Sequence, residues 1–127
     1  MRNNLIGEVF MERPEDMARI FKVLSVETRV RIVKLLKKRS LCVNSIAREL
    51  GISAAAVSQH LRILRNADVV IADKRGYFVH YGINRVTLEK WREIVEPLLN
   101  TSTITEDPFD SSRSCHIGYG RVFERRE

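Results

Sequence analysis

The chain has 127 residues, room for one ordinary hydrophobic core but not two, and its longest apolar runs fall far short of the roughly 20 residues a membrane-spanning helix needs. Lysine and arginine number 22 against 16 acidic residues, and the resulting charge of +6 favours a polyanion, either nucleic acid or an anionic membrane surface. Two cysteines, Cys42 and Cys115, are too few for a disulfide framework, and the opening MRNNLIGEVFMERPED lacks the apolar centre of a signal peptide, so a soluble, cytoplasmic protein is expected.

Residues 1–12 read as an N-terminal arm, and the stretch RPEDMARIFKVL predicts the first helix. Pro14 sits where a first turn tolerates it, Glu15 and Asp16 lie near the positive helix end, and Met17, Ile20, Phe21 and Leu24 recur at helical spacing. Ser25 is placed to cap a second helix, VETRVRIVKLLKK, with Val26, Val30, Val33 and Leu36 inward, Ile32 and Leu35 widening the stripe, and Arg31, Lys34, Lys37 and Lys38 in water. The third helix is the short VNSIAREL, with Ile46, Ala47 and Leu50 inward and Gly51 where a helix end wants a left-handed residue.

After the turn Gly51-Ile52, Ser53 caps a fourth helix in which Val57, Leu61 and Leu64 face the core, ending near Asn66 to Asp68. The β-branched and aromatic run VVIADKRGYFVHYGI then predicts a hairpin turning at Gly76. Asn84 is placed to cap a last helix, RVTLEKWREIVEPLL, which carries Leu88, Trp91, Val95 and Leu98 on one face, and Pro97 is expected to kink or fray its end. From Thr101 to Glu127 the composition shifts to Thr, Ser, Asp, Gly and Arg, a C-terminal tail, so the folded unit is expected over 13–100.

Two short helices joined by a tight turn, followed by a basic hairpin, make a winged helix-turn-helix: mainly α with a small β-hairpin, whose second motif helix can enter a DNA major groove. With Val57, Leu61 and Leu64 inward, a turn of about 100° per residue puts Ala55, Gln59 and Arg62 on the opposite side, with Ala54 and Ser58 on its border. Small alanines allow close approach, Gln59 matches an adenine edge, and Arg62 matches guanine or phosphate. A polar helix face alone is often merely solvated. The order of elements and the net charge turn this one toward double-stranded DNA, with Ser53, Ala54, Ala55, Ser58, Gln59 and Arg62 on the helix and Lys74, Arg75 and Tyr77 on the wing as candidate contacts. The apolar face of Leu88, Trp91, Val95 and Leu98 exceeds the needs of a small winged-helix core and predicts a homodimer.

The segments LSVETRVRIVKLL, SLCVNSIARELGISAAAVSQHLRILRNADVV and GYFVHYGI resemble the ArsR/SmtB group of winged-helix repressors over roughly residues 15–99. The resemblance implies a homodimer that binds a near-palindromic operator and releases it on a metal ion or another chemical signal. It also implies two metal sites, and neither is intact here. The thiolate site has cysteine, one residue, then cysteine, whereas this chain has Cys42 and then Asn44; the last-helix site uses Asp and His, whereas TLEKWREIVEPLL has no histidine and its Glu89, Glu93 and Glu96 read as a solvated face. Cys42 with the tail residues Cys115 and His116 remains a candidate three-ligand seat for a thiophilic metal ion, and the two thiols a candidate redox pair. His60 reads as a packing residue and His80 as a strand residue. The alternatives are a constitutive DNA-binding regulator without an effector and a winged-helix protein interaction module. Ser58 and His60 point to different faces, and no other nucleophile and base, paired carboxylates or phosphate loop supports an enzyme.

Overall fold

Pro14 opens the first helix with the one residue type that has no N–H to leave unpaired there. In the computed structural model, which describes residues 13–105 and Phe109, helix α1 spans Pro14–Leu24, with Glu15 and Asp16 in its first turn and Ile20 buried. Ser25 does not cap the second helix. Its hydroxyl donates to the Lys22 carbonyl at 3.0 Å and closes α1, while Val26 takes the N-cap position of α2, Glu27–Leu36, without a side-chain capping bond. The helix starts one residue later than expected, so Ser25 stands outside it.

Helix α2 is also rotated from its expected setting: Ile32 and Leu36 are fully inward, Val33 and Leu35 pack at their rim, and Val30 is 39% exposed. The pair Ile32–Leu36 offers more apolar area than Val26–Val30, and this edge is the one that meets the later helices.

Strand β1 is only Leu41–Cys42 and runs directly into α3, Val43–Leu50. At its end Gly51 takes φ 68°, and the Gly51 and Ile52 N–H groups both donate to the Ala47 carbonyl, at 2.8 and 3.2 Å. The space where a Cβ would sit is empty, so the left-handed backbone alone calls for glycine. Helix α4, Ala54–Asn66, starts at Ser53, whose hydroxyl accepts the Ala56 N–H at 3.1 Å. It closes through Asp68 at φ 65°, where the Asp68 and Val69 N–H groups donate back to the Arg65 and Leu64 carbonyls.

Strands β2, Val70–Arg75, and β3, Phe78–Ile83, pair antiparallel from Val70 opposite Ile83 to Arg75 opposite Phe78. The turn is therefore Gly76-Tyr77, with Gly76 at φ 64°, a two-residue hairpin with glycine first. Beyond the expected hairpin, β1 adds a third strand on the free edge of β3, with Leu41 opposite Tyr81 and Cys42 opposite His80. Alternation puts Val70, Ala72, Lys74, Tyr81 and Leu41 on the face toward the helices, and Ile71, Asp73, Arg75, His80 and Cys42 on the other.

Helix α5, Arg85–Leu99, begins at Asn84, whose side chain makes no capping bond but whose backbone N–H donates to the Val69 carbonyl at 2.8 Å. Pro97 lies in the last turn, where the Glu93 carbonyl loses its helical partner, and the helix stops at Leu99. The core is one cluster, Ile32, Leu36, Ile46, Val57, Leu61, Leu64, Val69 and Val70, to which α5 contributes no fully buried residue. Among the described residues no helix is long and apolar enough to cross a membrane.

Candidate nucleic-acid interface

Helix α4 is pinned by Val57, Leu61 and Leu64, which are 0, 2 and 0% exposed. That anchorage decides what the rest of the helix presents. Ala55, Gln59 and Arg62 lie on the opposite side and are exposed, as are Ser53, Ala54 and Ser58, so every expected reading residue reaches solvent on one connected surface. The Ser53 cap satisfies an amide at the tip of this helix. Ala54 and Ala55 then leave the first turn without bulk, the condition for entering a groove. His60 is half-buried with Nδ1 enclosed and without a partner among the described residues, in keeping with a packing role.

The wing brings its three expected residues to the same end of the chain order but not to one role. Tyr77, at the turn, is 99% exposed. Arg75 pairs with Asp73 on its own strand, Nε to Oδ2 at 3.0 Å, an exposed pair that contributes little to stability but neutralises the cation. Lys74 is on the other face, with Tyr81, and among the described residues has no ion pair. The wing's free cation is thus Lys74. Three residues outside the expected contacts, Arg65, Asn66 and Tyr81, join Ser58 and Arg62 around a cleft of about 370 Å³ between α4 and the sheet. Arg65 could have been found from its place one helical turn beyond Arg62; Tyr81 could not, since only strand register brings it there.

Residues 27–72 match the family described as "Bacterial regulatory protein, arsR family". The transcriptional repressor SdpR of Bacillus subtilis is 36% identical over 73 residues, 58% of this chain and 81% of the relative. A homolog of the cadmium resistance transcriptional regulatory protein CadC from Staphylococcus aureus is 38% identical over 83 residues, 65% of this chain and 69% of the relative. The crystal structure of a possible transcriptional regulator for arsenical resistance superposes with a TM-score of 0.58 at 30% identity, covering 68% of this chain and 96% of that one. The chain belongs to the arsR family. It is a winged helix-turn-helix DNA-binding transcriptional regulator, not an enzyme.

In this arsR-family regulator Cys42 is half-buried at the junction of β1 and α3, with Sγ 3.4 Å from the Ser45 hydroxyl. That hydroxyl is the main cause holding the thiol below its ordinary range, because it can donate to a thiolate. Directly across the strand stands His80, whose Nδ1 is enclosed without a partner among the described residues. Among the described residues no group of three or more Cys, His, Asp or Glu is arranged to hold a metal ion. Cys115 and His116, the other expected ligands, lie outside the described residues.

The four expected dimer residues share the surface of α5. Leu88 and Trp91 lean on the rim of the core, Val95 is half-buried, and Leu98 is 56% exposed. Between this face and α1 runs an open groove of about 800 Å³, lined among others by Phe21, Leu24, Leu88, Trp91 and Val95.

Proposed function

We propose that this arsR-family regulator is a cytoplasmic homodimeric repressor, its 13–100 unit holding a near-palindromic operator and releasing it when a metal ion or a thiol-directed signal reaches Cys42. The observation that carries the reading is the division of α4, whose apolar side is sealed in the core while all its expected reading residues are exposed. In a dimer two such helices lie about one DNA turn apart, roughly 34 Å, and each enters a major groove.

Operator binding separates reading from holding. Gln59→Ala is expected to lose about 1–3 kcal/mol on the operator and little on random duplex, the mark of a base contact. Lys74→Ala is expected to weaken both duplexes alike and to flatten the dependence on salt, the mark of a phosphate contact. Fluorescence anisotropy with the chain's own upstream DNA measures both. Equal losses for Gln59→Ala on operator and random DNA would remove Gln59 from the reading set.

Relatives named for cadmium and arsenical resistance support an effector, and Cys42 is the residue positioned to take one, next to the first helix of the DNA-binding motif. The tail residues Cys115 and His116 are its proposed partners. A tenfold release requires that the signal favour the released state by about 1.4 kcal/mol. Cys42→Ser is therefore expected to keep operator affinity within about twofold of the parent, far less than that tenfold step, and to abolish release by Cd²⁺ or an oxidant. Release unchanged in Cys42→Ser would make the cysteine a bystander; an absence of release in the parent would favour the constitutive regulator.

A further inference from the structure

We propose that the cleft between α4 and the wing is a seat for a backbone phosphate, with Arg65 as its principal cation. The proposal rests on the reading that α4 lies in a major groove. When a helix occupies a major groove and a wing reaches over the adjacent minor groove, the sugar-phosphate strand that separates the two grooves must pass between helix and wing. In this protein that passage is the cleft of Ser58, Arg62, Arg65, Asn66 and Tyr81, floored by Leu61.

Its chemistry is that of a phosphate site. The polar lining consists of two guanidinium groups, an amide and two hydroxyls, and no carboxylate lines it. Arg65 lies about 60° around the helix from Arg62, turned from the reading face toward the sheet. Among the described residues neither arginine makes an ion pair, and Asp68, three residues on, does not pair with Arg65. Like charges one turn apart repel, and an anion between them relieves that repulsion. Lys74 sits on the same sheet face as Tyr81, nearer the wing tip, and continues the cationic track along the strand. Arg62 belongs both to the expected reading set and to the cleft lining, whereas Arg65 lines the cleft and stands outside that set, so Arg65 holds DNA without reading it.

The test is a salt series on the full-length dimer with operator and random duplexes. Arg65→Ala is expected to weaken both by a similar factor, about tenfold, and to lower the slope of log K against log salt by about two, one phosphate per half-site. Arg65→Lys is expected to recover the slope, since lysine keeps the point charge, but only part of the affinity. A neutral methylphosphonate moved along each half-site should find one position that costs the parent this same factor and costs Arg65→Ala nothing further. An unchanged slope in Arg65→Ala, or a loss confined to the operator, overturns the phosphate seat. Gln59→Ala in the same series keeps the two readings apart: lost base preference beside an unchanged Arg65→Ala slope sinks the cleft alone, while a parent without salt-dependent DNA binding sinks both.

Discussion

Leu98→Asp is expected to turn a dimer into a monomer and to remove operator binding at concentrations where the parent is saturated. Helix α5 contributes no fully buried residue, Leu98 and Leu99 are 56 and 68% exposed, and Phe21 on α1 adds a ring that is 42% exposed. Apolar surface of this extent beside a groove supports the proposed dimer interface, since a second copy offers the matching face through two-fold symmetry. Symmetry doubles the penalty, because one substitution places two carboxylates in the buried contact. At about 2 kcal/mol for each polar group left without a partner, the dimer loses about 4 kcal/mol, close to a thousandfold in its dissociation constant. DNA affinity falls further, since each recognition helix must then find its half-site alone. Sedimentation equilibrium reads the dimer, and an unchanged far-ultraviolet spectrum shows that the monomer is still folded, as the exposure of Leu98 requires. A variant that sediments like the parent would place the interface elsewhere.

What could be read in advance was whatever a few neighbouring residues decide. Gly51 and Gly76 take positive φ as their places at a helix end and a tight turn imply, and Ser53 caps α4 because the apolar residues after it leave only one start for that helix. The reading face followed from the spacing of Val57, Leu61 and Leu64, a pattern with no competing phase. Helix α2 had competing phases: apolar residues at 26, 30, 32, 33, 35 and 36 spread over about 220° of the helical circumference, and only packing against other elements selected Ile32 and Leu36 over Val30. Ser25 stands between two helices and could serve either, a choice that turned on a single residue of offset.

Non-local pairing hid the remainder. Strand β1 is two residues long, too short for any alternation to show, and the opposition of Cys42 and His80 exists only through its register with β3. Tyr81 reaches the cleft by the same route. The pairing of Arg75 with Asp73, in contrast, was within reach of the sequence, because residues two apart on a strand share a face. In DKR the same rule sets Lys74 on the opposite face, where among the described residues it has no ion pair.

Leu64→Ala and Ile63→Ala, adjacent in sequence, are expected to part widely in stability. Leu64 is fully enclosed within the core cluster, and its carbonyl accepts the Val69 N–H at 3.0 Å where α4 turns into the wing. Trimming its isobutyl side chain to a methyl opens a cavity at the junction of motif and wing, at a cost of about 2–5 kcal/mol. Proteins of this size have only about 5–15 kcal/mol of stability in total, so the loss is a large share of it. Ile63 is 40% exposed, and its truncation is expected to cost under about 1 kcal/mol. Urea unfolding at a fixed protein concentration tests the pair, since dimer stability depends on that concentration. The midpoint should drop strongly for Leu64→Ala and barely for Ile63→Ala, with similar slopes. Operator affinity per folded Leu64→Ala dimer should stay near that of the parent, because Leu64 touches the core and not the groove. Equal midpoints for the two variants would mean that the cluster around Leu64 is not the core that fixes α4.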